Sequence, residues 1–134
     1  MTLRELSQAY YLKKEIALLD EQIASLWRKA TSSTASQSDA PGSHSGVSDK
    51  VGNYSASLAD AEKELKLKRA ELEKAEENIR HYIDAIPDSM LRLIFTYRFL
   101  RSLSWVAVAH RVGGGNTEAS VKMQCYRYLK GGSK

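Results

Sequence analysis

Basic and hydrogen-bonding side chains recur on one side of a helix predicted near the end of this 134-residue chain. The segment spans residues 117 to about 129, and Val121, Cys125 and Tyr128 share its apolar side. The opposite side presents the side chains that can contact base edges: Thr117, Ser120, Lys122, Met123, Gln124 and Arg127. In the major groove of duplex DNA, Lys and Arg read guanine, Gln reads adenine, and Ser or Thr reaches bases or phosphate. The main base contacts that we expect are Lys122, Gln124 and Arg127.

Phosphate contacts are expected around these base contacts. Arg111 and Lys130 flank the helix, and the backbone amides of residues 117–119 lie at its N-terminus, where anions bind readily. Asn116 or Thr117 is expected to cap the helix, and we place both at the interface with DNA.

The charge distribution favours the same end of the chain. From Asp88 to Lys134 there are eight Lys or Arg residues against two acidic ones, a net charge of +6. The residues before Asp88 carry −2, so the overall charge of +4 is concentrated at the C-terminal end. This split indicates a C-terminal part that meets a polyanion and an N-terminal part with a different role.

Three short helices are predicted to position these side chains. Pro87 marks a boundary, and an apolar helix follows over residues 90–100. Ser104 is a good N-cap for a second helix over 105–112. The glycines at 113–115 end that helix, because glycine readily adopts the left-handed conformation. Together with the 117–129 segment, these elements predict a helix-turn-helix unit.

Two longer amphipathic helices are predicted before Pro87, at residues 2 to about 29 and about 54 to 86. Their apolar residues follow heptad spacing. In the first helix these are Ala9, Leu12, Ile16, Leu19, Ile23 and Leu26; in the second they are Leu58, Ala61, Leu65, Leu72, Ala75, Ile79, Tyr82 and Ile86, with Lys68 as the one interruption. Residues 31–48, rich in Ser with Pro and Gly, are expected to form a flexible loop. The two helices then form an antiparallel hairpin, although pairing between chains, as a homodimer or four-helix bundle, stays open.

The predicted fold is all-α: a long, coiled-coil-like antiparallel helical hairpin over 1–86, a helix-turn-helix domain over 87–130, and a tail over 131–134. No Ser/His/Asp, Cys/His or paired-carboxylate grouping is present, so we expect no enzymatic activity. One cysteine and three scattered histidines predict neither a disulfide nor a metal site, and no cofactor is implied. No apolar stretch approaches the roughly 20 residues of a membrane span, and a signal sequence is lacking, so we expect a cytoplasmic protein.

The C-terminal residues also carry a family resemblance. Leu103-Ser104-Trp105, followed by Val108, Ala109, Val112 and Gly113, resembles the helix-turn-helix of region four of bacterial sigma factors, and Ser120-Val121-Lys122 and Arg127 match its recognition helix. The strings 113–117 and 126–129 are similar to phage and prophage transcriptional regulators of the ArpU/RinA type, as are 9–16 and 46–54 near the N-terminus. The resemblance covers most of the chain, but only the last 40 or so residues carry a motif with a mechanism.

The resemblance implies a phage-encoded transcriptional regulator that binds double-stranded DNA sequence-specifically. Its hairpin would set the oligomeric state or contact host RNA polymerase. Two alternatives stay open: a DNA-packaging subunit similar to a small terminase, which also joins a helix-turn-helix to coiled-coil segments, and a protein-interaction module with a basic end.

Overall fold

The computed structural model describes residues 1–36 and 44–131 and is all-helical over them, which confirms the predicted all-α class. Its α-helices are α1 (Leu3–Ser36), α2 (His44–Asp84), α3 (Ser89–Phe95), α4 (Trp105–Val112) and α5 (Glu118–Leu129). In this described part of the chain, no helix combines the length and apolar character that a membrane span requires.

The first two helices extend further than the sequence predicts. Positions 31–36 belong to α1 and positions 44–48 to α2, so the prediction of a loop over all of 31–48 is wrong at both ends. Ser, Thr and Ala continue a helix at a cost of only a few tenths of a kcal/mol per residue, so α1 runs past its last apolar position. Residues 37–43 of the predicted loop, and 132–134 of the predicted tail, lie outside the described residues.

One compact unit comprises residues 14–70, from the middle of α1 and α2. Burial there follows the predicted heptad, with Leu19 and Leu58 buried. Lys68 interrupts the seam, but its Nζ atom lies 3.4 Å from a carboxylate oxygen of Glu15. Next to it, a guanidinium nitrogen of Arg69 lies 3.5 Å from a carboxylate oxygen of Asp20. The ion pair with Glu15 explains how the apolar seam accommodates a lysine.

A second compact unit combines residues 1–13 with residues 71–134. A single buried cluster holds it together: Leu6, Ala9, Ile79, Ile83, Ile86, Ile94, Phe95, Phe99, Trp105, Val108, Ala109, Val121 and Cys125. Phe95 is its largest fully buried side chain and contacts the rings of Phe99, Tyr82 and Tyr128, with centroids 5.4–6.0 Å apart. The three C-terminal helices therefore share their core with the start of α1 and the end of α2.

The helix that begins with α3 does not stop at Phe95 but continues into a π-helical turn, Thr96–Leu100. The chain then bends at Ser102, whose φ of +58° is unusual for a residue with a side chain. Lys13 of α1 secures this bend: its Nζ atom donates to the carbonyl of Leu100 at 2.7 Å and to Ser102 Oγ at 3.2 Å. Lys13 also lies 3.4 Å from Glu76 of α2, so one ammonium group ties the start of α1 to two other segments of its unit.

Candidate nucleic-acid interface

The turn between α4 and α5 has the geometry that the sequence predicts. Ser104 Oγ accepts a hydrogen bond from the Ala107 amide at 3.2 Å, and Thr117 Oγ1 accepts one from the Ser120 amide at 3.1 Å. Both helices thus begin at the expected N-caps. The three glycines between them all have positive φ, at +70°, +63° and +78°, so the predicted glycine turn is also confirmed.

Asn116 and Ser120 are engaged within this turn. The side-chain nitrogen of Asn116 donates to the carbonyl of Gly113 at 2.7 Å, and the hydroxyl of Ser120 donates to Asn116 Oδ1 at 3.0 Å. Both side chains are half-buried. They fix the direction in which α5 leaves the turn, and they contribute less free surface than the sequence suggests.

The buried side of α5 is as predicted, since Val121 and Cys125 are fully buried and Tyr128 is half-buried. Burial raises the pKa of the Cys125 thiol to about 12, with Arg98 opposing the rise. A thiol in that state is protonated at neutral pH and is not a nucleophile. Cys125 is thus a core residue that sets which side of α5 faces outward.

The exposed side of α5 is centred on Ala119, Met123, Tyr126 and Lys130, with Lys122 on one flank and Arg127 on the other. Met123 is 52% exposed, and Tyr126 is 38% exposed. Arg127 extends along the helix, with a guanidinium nitrogen 3.3 Å from the sulfur of Met123. The surface therefore has an apolar centre between cationic borders.

Most of the predicted contact residues lie on or beside this surface. Thr117, Lys122, Met123, Arg127 and Lys130 are exposed on α5 or at its ends, and Arg111 is exposed in the last turn of α4. Gln124, predicted as a main base contact, is half-buried at the edge of the surface. The cations thus lie together, as expected, whereas Gln124 lies away from the centre of the exposed side of α5.

Tyr126 is a surface residue that the sequence prediction missed. Its ring packs edge-to-face on the largely buried Trp105, with centroids 5.9 Å apart, which holds the ring in place. The positions 119, 122 or 123, 126 and 130 follow helical spacing, so the same periodicity that identified the buried side would have identified Tyr126.

The first residues of the chain lie beside α5. Met1, Thr2 and Leu3 form one wall of a shallow groove of about 950 Å³, and α5 forms the other with Ala119, Lys122, Met123, Tyr126, Arg127, Leu129 and Lys130. Thr2 and Glu5 fix this wall, because the Thr2 amide donates to Glu5 and the Glu5 amide donates to Thr2 Oγ1. The exposed side of α5 thus borders an apolar groove.

The interface is electrostatically one-sided. Within the described chain, no carboxylate lies within ion-pair distance of Lys122, Arg127, Lys130 or Arg111. Glu118 is the one acidic residue of α5. The four cations are available to an external anion.

Among the side chains that the structure describes, no three His, Cys, Asp or Glu residues come together as metal ligands would. Comparisons with protein-family profiles, with curated proteins and with solved structures gave no match to this chain.

Proposed function

We propose that this protein binds double-stranded DNA through α5 and regulates transcription. The observation that carries the proposal is the exposed side of α5, on which Lys122, Arg127 and Lys130 have no acidic partner in the described chain. A helix fits the major groove, which is about 12 Å wide. At 12 residues, α5 is about 18 Å long, enough to present several side chains to successive base pairs.

The exposed residues divide between base contacts and phosphate contacts. Lys122 and Arg127, one on each flank, are placed to donate to guanine edges, and Met123 lies between them for apolar contact with bases. Arg111, Lys130 and the first amides of α5 hold phosphates and set the register of the helix. Gln124 and Thr117 contact DNA from the edge of the surface.

The wider role is a phage-encoded regulator acting in the cytoplasm, as the resemblance to the ArpU/RinA type and to sigma region four suggests. The paired helices α1 and α2 would set the oligomeric state, as a homodimer, or contact RNA polymerase. The solution mass separates this role from DNA packaging: a monomer or dimer fits a regulator, and a ring of eight or more chains fits a small terminase-like subunit.

The test begins with selection of bound duplexes from a random DNA pool. The selected duplex is then titrated with the wild-type protein and with Lys122→Ala and Arg127→Ala. Each variant should lose about 1–3 kcal/mol of binding free energy, or roughly 5- to 150-fold in affinity. Circular dichroism should show unchanged helix content, since both side chains are exposed.

Lys66→Ala provides the matched control, because it removes one exposed positive charge from α2. Its affinity for the selected duplex should stay within about twofold of the wild type, because the loss of this charge has only a small, general electrostatic effect. Selection that enriches no sequence, or equal losses in all three variants, would refute specific recognition by α5.

A further inference from the structure

A second cavity lies in the compact unit that contains the C-terminal helices. It has a volume of about 420 Å³. Ser7, Tyr10 and Tyr11 of α1 line one side, and Arg98 and Phe99 of the π-helical turn line the other. Its size is in the range of small-molecule sites, and among the described residues that line it none is acidic.

Arg98 is the charged group of this cavity. One of its guanidinium nitrogens donates to the carbonyl of Leu103 at 3.0 Å, and its central carbon lies 4.6 Å from the centre of the Trp105 ring. No carboxylate of the described chain lies within ion-pair distance of it. A half-buried guanidinium has five N–H donors in a fixed plane, so Arg98 is held in position with donors left for an anion.

Besides Ser7, two serines line the same cavity, and the hydroxyl of each already accepts a hydrogen bond. Ser104 Oγ accepts from the Ala107 amide, and Ser102 Oγ accepts from the Lys13 ammonium. A hydroxyl that accepts in this way still has its own proton to donate. Ser102 is held there at a φ of +58°, a conformation that residues with side chains adopt mainly where the surrounding structure imposes it.

We propose that this cavity binds a phosphoryl group. A planar arginine donor set and hydroxyl donors match the oxygens of phosphate, and the positive charge of Arg98 would be neutralised there. The buried ring of Phe99 reduces contact with water on one side of the cavity and so strengthens the charge-assisted bonds there. The phosphoryl group comes either from a free phosphate ester or from a DNA backbone, and the inference does not depend on the proposed role of α5.

The first measurement is an NMR titration of the full-length protein with inorganic phosphate and with a nucleoside monophosphate, against sodium chloride at equal ionic strength. Saturable shifts are expected for the backbone amides of Ser7, Tyr11, Arg98 and Ser102 with the phosphates and not with chloride. Shifts of equal size with chloride, or shifts spread evenly over all cations, would overturn the proposal.

Two variants test the donor set by different routes. Arg98→Gln removes the charge and should weaken phosphate binding by about tenfold or more. Ser7→Glu leaves Arg98 in place and adds a carboxylate on the opposite wall, which should abolish binding because its negative charge repels phosphate and competes for Arg98. The variant should still fold, since α1 accommodates glutamate well. Arg80→Gln is the matched control, since Arg80 is exposed and does not line the cavity; its affinity should stay within about twofold. Unchanged binding in Ser7→Glu would overturn the proposal even if Arg98→Gln failed to fold.

A titration with duplex DNA identifies the source of the phosphate. Binding of the nucleoside monophosphate to the free protein supports a small-molecule site. Cavity shifts that appear with duplex DNA alone, and that Ser7→Glu removes, support a backbone phosphate. The absence of cavity shifts with all three probes would refute the site, whereas loss of duplex binding in Lys122→Ala and Arg127→Ala reports only on α5.

Discussion

The hydroxyl of Ser120 donates to the side-chain oxygen of Asn116 at 3.0 Å, and through Asn116 it is linked to the carbonyl of Gly113, the residue that ends α4. This chain of two hydrogen bonds couples the first turn of α5 to the end of α4. The orientation of α5, and with it the direction of its cationic side, therefore depends on a side chain that itself has little free surface.

Asn116→Ala should destabilise the protein by about 1–2 kcal/mol, because it removes the side-chain donor to the Gly113 carbonyl and the acceptor of the Ser120 hydroxyl; only the backbone amide of residue 116 still donates to Gly113. Urea denaturation followed by circular dichroism measures the change. Asn116→Asp is the informative comparison, since it keeps the acceptor for Ser120 and loses the donor to Gly113, and its loss should be intermediate. An unfolding free energy equal to that of the wild type in Asn116→Ala would show that the two bonds do not hold the turn.

Gly113→Ala should also destabilise the protein, by roughly 1–3 kcal/mol. Gly113 has φ +70° and ψ −153°, a backbone region almost restricted to glycine. No atom lies within 4 Å of a Cβ placed there, so the loss would come from the backbone conformation alone. The measurement is the thermal midpoint, and a midpoint unchanged within error would contradict this explanation of the turn.

The beginnings of α4 and α5 were predictable because an N-cap is a local property of one serine or threonine and the amides that follow it. The heptad of α1 and α2 was predictable for the same reason, since its periodicity is contained in neighbouring residues. The packing of Leu6 and Ala9 into the same cluster as Phe95 depends on residues some 90 positions apart, for which no local pattern exists. The sequence therefore predicted the elements well and their shared core poorly.

In the candidate site, too, the features set by neighbouring residues were predictable and those set by tertiary packing were not. The cations of α5 were predicted as a group, because charge and helical phase are readable from sequence. The partial burial of Gln124 and the hydrogen bonds of Asn116 depend on the tertiary packing of the turn. Tyr126 was missed although its position follows the helical spacing of the exposed side. Arg98 stacks on Trp105, and this contact joins residues on either side of the bend at Ser102, for which no local pattern exists.

A fragment of residues 87–134 should not fold as the same three helices do in the full chain. Five of the buried cluster residues lie outside it: Leu6, Ala9, Ile79, Ile83 and Ile86. Their larger side chains contribute about 1.5–3 kcal/mol each on burial, and typical domains have a total stability of about 5–15 kcal/mol. The measurement is the amide NMR spectrum of the fragment beside that of the full chain.

The result expected for the fragment is a narrow, poorly dispersed spectrum. Leu6→Ala in the full chain is the matched test, because it removes one cluster side chain without truncating the protein. It should lower the free energy of unfolding by about 2–5 kcal/mol. A fragment with a well-dispersed spectrum and cooperative unfolding would show that the C-terminal helices are an independent domain.

The stability of the protein should fall as the pH rises from about 9 to about 12, partly because of Cys125. Burial raises the pKa of this thiol to about 12 in the folded chain, from an ordinary value near 9. Below pH 9 both folded and unfolded chains keep the proton, so the thiol gives no pH dependence there. Above pH 9 the unfolded chain loses the proton and the folded chain retains it, which lowers stability by up to about 1.4 kcal/mol per pH unit.

Cys125→Ala separates this effect from the titration of tyrosines and lysines, which both proteins share. Urea denaturation at pH 8, 9, 10 and 11 gives the free energy of unfolding at each pH. This free energy should fall less steeply with pH in the variant than in the wild type, whatever the stability of the variant at pH 8. Parallel declines for the two proteins would show that the thiol does not have a raised pKa in the folded chain.

Met123 should make the bound DNA site sensitive to thymine methyl groups. It is exposed at the centre of the α5 surface, between the flanking cations Lys122 and Arg127, where an apolar side chain can contact the methyl group of thymine in the major groove. Replacing each thymine of the selected duplex by uracil removes one methyl group and leaves every hydrogen-bonding edge intact. At a contacted position the binding free energy should weaken by about 0.8 kcal/mol, or roughly fourfold in affinity. Met123→Ala should remove that sensitivity while the losses caused by Lys122→Ala and Arg127→Ala persist. The contradicting result is a wild-type protein that binds the duplex sequence-selectively and yet shows the same affinity after every thymine-to-uracil change. In that case the centre of the surface does not contact thymine, and recognition depends on the flanking cations.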